Sequence, residues 1–307
     1  MTQEQNNKLQ TFIEKLRNKN PEWFIRFFKM LEDCGVDEKV IDLALDLLNH
    51  PQCKYALDSH HDRDVLKKDK CAYQAIEDFF NYMENLVKEK GVEYLKDFLE
   101  NAIIQMGMDL ETYIKEEHFS KQTNFFNLFI RQLIKENPQD VRIDNMGTSM
   151  EDLSPMSSMG GNIEVSIAGV AVGHMHFEGC ESNINHVQFT EFRTLPGLER
   201  LGLGSLMMSE FCRQLVEYKP GHAAVAWGVK KGRDGEKTYS AWGGYPVTTM
   251  GGGEYIEDRP WTSEEYDANN GQMLFFFPES AVKTLAEKQS TRYPNAHIRA
   301  ESVIETN

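Results

Sequence analysis

The sequence predicts an α+β protein with an all-helical N-terminal domain, followed by a mixed, mostly antiparallel sheet flanked by helices. Up to about residue 137, apolar residues recur at helical spacing. After about residue 162, apolar and polar residues alternate as they do in strands. The segment between them is rich in Asn, Asp, Ser, Met and Gly. We therefore expect a helical domain at 1–137, a linker or long loop at 138–161 and a sheet domain at 162–307.

The helical half shows start and stop signals that are typical of helices. Asn20 precedes Pro21 as an N-cap before the first helical position, and Asp37 begins a further helix after Gly35. More helices are predicted at 72–90, 92–106, 110–117 and 124–136. The Phe and Trp residues at helical spacing are interpreted as core. This half carries no readable chemistry, and a partner-binding or substrate-selecting role stays open.

The second half reads as strands around one strong helix. The predicted strands are a short one at 141–143 and longer ones at 163–167, 170–177, 186–195, 223–229 and 273–277. The helix runs from Ser205 to about Tyr218, and another follows at 279–289. The apolar run at 223–229 is typical of a strand buried on both faces.

Composition restricts the classes of function. The net charge of -15 argues against a nucleic-acid partner, because phosphate contacts need a basic face. It agrees with a cationic acceptor such as an amine and equally with an ordinary soluble surface. The five cysteines are scattered without a CxxC pair, which indicates reduced thiols and a cytoplasmic location. No apolar run is long enough to predict a membrane span.

The stretch from Thr194 to Met208 organises the rest of the chain. A strand leads into a loop with Gly202 and Gly204, and that loop opens the Ser205 helix. Glycines let backbone N–H groups approach a ligand closely, and the first helical turn adds unpaired donors and the positive end of the helix dipole. The pattern predicts a site for a phosphate-bearing ligand near Arg200–Ser205. By itself, a Gly-x-Gly pair also fits a plain strand-to-helix turn.

With Pro196, Gly202 and Gly204 at these separations, the stretch resembles the acyl-CoA-binding motif of the GNAT acetyltransferases, over about residues 160–280. Glu199 occupies the slot that usually holds Gln or Arg, with Arg200 one place later. The resemblance implies acetyl-CoA as acyl donor, an amine-bearing small molecule or protein as acceptor, and no metal. It assigns the pantetheine arm to the strand backbone and the pyrophosphate to the loop amides. The implied cofactor-binding residues are Phe192, Thr194, Leu195, Arg200, Leu201, Gly202, Leu203, Gly204 and Ser205.

The resemblance also implies catalytic residues. A tyrosine on the short helix after the next strand would protonate the thiolate, and Tyr239 is the candidate, although the usual position falls on Ser240. Glu191 is the first candidate for the general base and His186 the second. His186 has a usual pKa of about 6.5 and, on strict alternation, shares a face with Gln188, Thr190 and Phe192. His174 and His176 on the neighbouring strand are further candidates.

Two other interpretations stay open beside an acetyl-CoA-dependent N-acyltransferase. Glu199 and Ser240 favour a binding or regulatory protein that keeps the acyl-CoA fold and has lost catalysis, and an unrelated α+β domain with a chance glycine turn remains possible. The cluster from His60 to Asp64 could hold a metal, but adjacent residues rarely converge on one ion, so a solvated loop is favoured. The sequence does not predict the oligomeric state.

Overall fold

The computed structural model describes residues 1–15, 21–50, 70–115, 125–154, 160–180, 185–195, 197–198, 200–232, 234–247, 249–250, 255–256, 260–268, 272–288 and 291–296. The cluster from His60 to Asp64 lies outside these residues, as do Pro196 and Glu199. The chain divides into two compact units. The first comprises Met1–Pro138, Ile167–Ala171 and Leu195–Glu199, and the second comprises Gln139–Ser166, Val172–Thr194 and Arg200–Asn307.

The first unit contains helices in sequence. They are α1 Gln3–Lys15, α2 Pro21–Asp33, α3 Glu38–Asn49, α4 Lys70–Lys90, α5 Val92–Lys115 and α6 Phe125–Glu136. The Asp37 side chain caps α3 by accepting from the Lys39 N–H at 2.8 Å, as the sequence predicts. Gly197 belongs to this unit, and its carbonyl accepts from Arg131 Nη1 at 2.9 Å.

One helix differs from its prediction. The sequence predicts separate helices at 92–106 and 110–117, but α5 continues through Gly107. A Cβ at Gly107 would lie 3.5 Å from the Leu43 side chain, which is ordinary van der Waals contact, so the packing of α5 on α3 does not require glycine there. The cost of a glycine inside a helix, about 1 kcal/mol, is too small to break it there.

The second unit contains the sheet. After a 3₁₀ turn at Pro138–Asp140 come β1 Val141–Gly147, β2 Gly161–Ile167, β3 Val170–Gly179, β4 His186–Thr194, α7 Leu203–Tyr218, β5 Ala223–Lys230, α8 Asp234–Ala241, β6 Tyr245–Val247, β7 Thr249–Met250, β8 Tyr255–Ile256, α9 Ser263–Ala268, β9 Gln272–Phe277 and α10 Glu279–Ala286. The strand expected at 141–143 thus extends to Gly147. The predicted α+β fold class is confirmed.

The main sheet has seven strands in the order β1-β2-β3-β4-β5-β9-β6, and β7 pairs with β8 separately. The sheet is mixed: β4 and β5 are parallel, whereas β3–β4, β5–β9 and β6–β9 are antiparallel. On one face, α7 packs against α10 and β4, and the Ser209 hydroxyl donates to the carbonyls of Leu285 and Lys288 at 3.0 and 2.8 Å.

A small apolar cluster, made by strand residues and by Cys180 directly after β3, lies elsewhere in the second unit. Its buried members are Cys180, Ala223, Val225, Val247, Leu274 and Phe276. Because residues alternate across a strand, Leu274 and Phe276 lie on the opposite face of β9 from Phe275 and Phe277. In the part of the chain that the structure describes, no helix is long and apolar enough to cross a membrane.

Candidate functional site

The two parallel strands at the centre of the sheet part from each other. Their pairing runs from His186 opposite Ala223 to Phe189 opposite Ala226 and ends there. Beyond that point β4 continues to Thr194 along β3, while β5 continues along β9. Among the described residues, no strand therefore pairs with the outer half of β4 on its β5 side. An extended ligand could pair with that backbone edge as a strand would.

A β-bulge lies where the strands part. His176 of β3 is opposite Glu191, while the next residue, Phe177, is opposite Phe189, so Thr190 is the extra residue of β4. The bulge brings Phe189 and Phe192 to the same face, with ring centroids 6.3 Å apart. The prediction that Phe192 shares a face with His186 and Gln188 is therefore wrong, because strict alternation does not hold across a bulge.

The Tyr239 ring packs into an aromatic cluster at this point. Helix α8 carries Tyr239, and its ring contacts five others with centroids 5.7–6.3 Å away: Phe189, Phe192, Trp242, Phe275 and Phe277. Burial raises the pKa of Tyr239 to about 12. Its hydroxyl makes no hydrogen bond to any residue that the structure describes. At neutral pH it is thus a protonated donor available to a ligand.

The other face of β4 is polar at the same level. Glu191 is half-buried, and its Oε2 lies 3.3 Å from Nε2 of His174 on β3. His176, directly opposite Glu191, has Nδ1 3.0 Å from Oδ1 of Asn162. The structure thus places Glu191 beside both strand histidines that the sequence singles out. A carboxylate in this position can accept a proton from a bound amine.

His186 is separated from this polar group. It lies at the paired start of β4, five residues before Glu191, which corresponds to about 15 Å along a strand. Its side chain is buried, and its ring contacts that of Phe276 at 5.3 Å. The surroundings of His186 are those of a packed histidine, and the structure does not bring it to Glu191 or Tyr239.

The loop before α7 has the backbone of an anion site. Arg200 and Gly202 both have positive φ, 61° and 86°, and Gly202 caps the helix without a side-chain hydrogen bond. The first bond of the helix runs from the Leu206 N–H to the Gly202 carbonyl at 3.0 Å. The N–H groups of Leu203, Gly204 and Ser205 donate to no group in the described ranges, which leaves them for a ligand.

Gly204 connects this loop with the aromatic cluster. A Cβ at this position would lie 3.2 Å from the Phe192 ring, tighter than ordinary contact. Phe192 in turn contacts the rings of Tyr239 and Trp242. The outer half of β4, the loop and Tyr239 therefore form one continuous surface in the second unit. Leu195 follows directly after β4, and its side chain is buried.

The remaining sequence-predicted features are easily placed. Leu201 and Leu203 have buried side chains, so only their backbone can serve a ligand. Ser240 is exposed on α8, whereas Tyr239 faces the sheet. Among the described residues, no group of three or more His, Cys, Asp or Glu side chains could hold a metal ion.

Comparisons with known proteins give matches among solved structures. No family model matches the chain, and no curated protein matches it. The ribosomal-protein-S18-alanine N-acetyltransferase of Escherichia coli is 11% identical, with a TM-score of 0.29 over 44% of this chain and 94% of its own. A Bacillus subtilis acetyltransferase in complex with CoA is 10% identical, with a TM-score of 0.31 over 45% and 98%.

The catalytic domain of the Tetrahymena GCN5 histone acetyltransferase in complex with coenzyme A is also similar. It is 9% identical, with a TM-score of 0.30 over 45% of this chain and 93% of its own. The matched structures are GNAT acetyltransferases and cover about half of this chain. Because these TM-scores and identities are low, the case for a function depends on the geometry of this chain's own residues.

Proposed function

We propose that the second unit is an acetyl-CoA-dependent N-acyltransferase that moves an acetyl group to an amine by direct attack on the thioester. One observation carries the proposal: β4 parts from β5 at Phe189 and runs into a loop whose amides open a helix. This arrangement offers a strand edge for an extended amide-bearing arm and, at its end, a cluster of N–H groups for a diphosphate. Acetyl-CoA has both parts in that order.

The cofactor would lie along these groups as follows. The backbone from Phe192 to Thr194 would pair with the pantetheine arm. The amides from Arg200 to Ser205 would bind the pyrophosphate, with the dipole of α7 adding to the attraction. The glycine at 204 keeps this turn close to Phe192, and a larger residue there would displace one or the other.

Two groups on opposite faces of the sheet would then meet the thioester. The amine nitrogen attacks the thioester carbon, the C–S bond breaks, and the thiolate takes a proton from the Tyr239 hydroxyl. Glu191, directly or through a water molecule, accepts the proton that the amine loses, and His174 holds the carboxylate in place. Holding amine and thioester together supplies a large part of the acceleration in its own right.

The acceptor is an amine-bearing small molecule or protein, and the acidic chain favours one that is cationic. The cytoplasm stays the predicted location. A second candidate function is an acyl-CoA-binding regulatory protein without catalysis, favoured by the exposed Ser240 at the usual tyrosine position. Acetyl-CoA binding without turnover on a panel of amines would favour this second function.

The proposal is tested by adding one negative charge to the amide cluster. Ser205 is the third helical residue of α7, a position where glutamate favours the helix itself. We expect Ser205→Glu to keep the fold and to weaken acetyl-CoA binding at least about tenfold, measured by calorimetry. The matched control is Ser280→Glu in the exposed first turn of α10, which should bind as the wild type does.

A folded wild-type protein that binds no acetyl-CoA would overturn the acyltransferase proposal and its alternative together. Equal affinity in wild type and Ser205→Glu would show that the diphosphate does not bind at the start of α7. Circular dichroism and the urea midpoint of each variant establish that the fold is kept.

A further inference from the structure

A segment near the end of the chain forms hydrogen bonds with the loop before α7, which is the proposed binding site of the diphosphate. Residues 291–296 follow α10, outside the span of about 160–280 that resembles the GNAT motif. The buried Tyr293 donates its hydroxyl to the Leu201 carbonyl at 2.6 Å. Arg292 Nη1 donates to the same carbonyl at 3.1 Å and to that of Arg200 at 3.4 Å. Two consecutive peptide groups of the loop are thus held by two neighbouring side chains.

The direction of these carbonyls fixes the direction of the N–H groups that follow them. A trans peptide is planar, with its C=O and N–H pointing to opposite sides, and the described chain has no cis peptide bond. With the carbonyls of Arg200 and Leu201 turned toward the 291–296 segment, the N–H groups of Leu201 and Gly202 point away from it. Neither N–H donates to any described residue.

This arrangement presents two oriented donors from which an anion can accept. Leu201 is buried, with 1% of its surface exposed, whereas Gly202 is exposed, and a backbone N–H needs an acceptor from a ligand or from water. Arg200 adds a positive φ at a non-glycine residue, a backbone conformation that surrounding contacts must maintain. Donation from a cationic Arg292 to the carbonyls also polarises both peptide groups, which strengthens their N–H groups as donors.

The segment is itself held in place. The Ala296 N–H donates to the Tyr293 carbonyl at 3.3 Å, and the Ile143 N–H of β1 donates to the Ala296 carbonyl at 3.1 Å. The Tyr293 ring lies under the loop, 3.9 Å from where a Cβ of Gly202 would be. The segment is therefore anchored to the sheet separately from the loop that it supports.

We propose that Arg292 and Tyr293 are positioning residues of the acyl-CoA site, which orient the N–H groups of Leu201 and Gly202 toward the diphosphate of the cofactor. The inference rests on the proposed function. In this chain Glu199 occupies the slot that usually holds Gln or Arg, and the cationic support for the loop comes instead from Arg292, on the side away from the ligand.

The test compares two ligands that differ in the diphosphate. Acetyl-CoA affinity is measured by calorimetry, and affinity for S-acetylpantetheine, which lacks the nucleotide and the diphosphate, is measured by NMR titration. The variants are Tyr293→Phe, which keeps the buried ring, and Arg292→Gln, which keeps an amide donor without the charge. We expect acetyl-CoA to bind about 5- to 20-fold more weakly to Tyr293→Phe and about 3- to 10-fold more weakly to Arg292→Gln.

S-acetylpantetheine should bind both variants as it binds the wild type. The matched control is Lys219→Gln: Lys219 is another cationic side chain that donates to a backbone carbonyl, that of Glu151, at 3.0 Å. This control should leave both affinities unchanged, because Lys219 lies at the far end of α7 from the loop.

Three results would overturn the proposal. Unchanged acetyl-CoA affinity in both variants would remove the positioning role, and equal losses for the two ligands would show a general structural effect instead. Wild-type protein that binds neither ligand would overturn the proposed function itself. The wild-type titration thus separates the failure of this inference from that of the acyl-CoA site.

Discussion

Among the described residues, each unit contains a cluster of aromatic side chains, and the ring geometry of the two clusters is similar. In the first unit Phe27 contacts four phenylalanine rings with centroids 5.0–5.9 Å away, those of Phe28, Phe125, Phe126 and Phe129. In the second unit Tyr239 contacts five rings at 5.7–6.3 Å. The rings around Phe27 belong to phenylalanines alone, whereas the second cluster carries the Tyr239 hydroxyl.

The difference separates packing from chemistry. Phe27 is completely buried, and its contacts are those of a helical core. Tyr239 is half-buried beside the point where β4 and β5 part. Burial raises the pKa of its hydroxyl, and no described residue accepts a hydrogen bond from that hydroxyl. Similar ring contacts therefore serve stability in one unit and, under the proposed function, hold a proton donor in the other.

The largest effect is expected for Phe27→Ala. Removing a fully buried ring leaves a cavity among four aromatic neighbours, and such substitutions destabilise by about 3–5 kcal/mol. The free energy of unfolding from urea titration measures the loss. Ile25→Ala on the same helix is the control, because Ile25 is 47% exposed, and its effect should stay within about 0.5 kcal/mol. Equal effects of the two substitutions would show that the Phe27 cluster is not the core of the helical unit.

Tyr239→Phe should change the stability of the protein little and its activity strongly. The ring and its contacts stay, and the hydroxyl has no described partner to lose, so the unfolding free energy at pH 7 should change by less than about 0.5 kcal/mol. If the hydroxyl protonates the leaving thiolate, kcat should fall about 100-fold, which corresponds to about 2.7 kcal/mol. Steady-state release of CoA with an accepted amine measures it.

The opposite face supplies the comparison for that variant. Glu191→Gln keeps a hydrogen-bond acceptor for His174 and removes the carboxylate that takes a proton. Its rate should recover as the pH rises and more of the free amine is already deprotonated, whereas the rate of Tyr239→Phe should not recover. If Tyr239→Phe kept the wild-type kcat, Tyr239 would have only a packing role, as Phe27 has. That result would also favour the alternative function, an acyl-CoA-binding regulatory protein.

Features that depend on the local spacing of residues could be predicted from the sequence. Helical periodicity located the core of the first half, and the strand patterns located that of the second. Gly202 with Gly204 located the turn into α7, because positive φ and close approach require glycine there. The bulge at Thr190 escaped prediction, since it is defined by the register with His176 on another strand. The same reason hides the contact of Tyr293 with Leu201, which joins residues 92 positions apart.

The smallest effect follows from the pKa of Tyr239. Burial raises it to about 12 from 10.0, so the folded protein holds the phenolic proton more tightly than the unfolded chain does. Below pH 10 both states are protonated, and this contribution to stability is fully present. As the pH rises from 10 toward 12, the unfolded chain ionises first, and the folded state loses about 1.4 kcal/mol by pH 11.

Tyr239→Phe isolates this loss from all other titrations. The remaining tyrosines and the lysines ionise alike in both proteins, so they cancel when the variant's unfolding free energy is subtracted from that of the wild type. The difference should fall by about 1.4 kcal/mol between pH 8 and pH 11. Parallel curves would mean that water reaches the hydroxyl freely. Tyr239 would then be an ordinary exposed phenol. The two aromatic clusters would differ only in the presence of a hydroxyl group, and not in the environment that holds it.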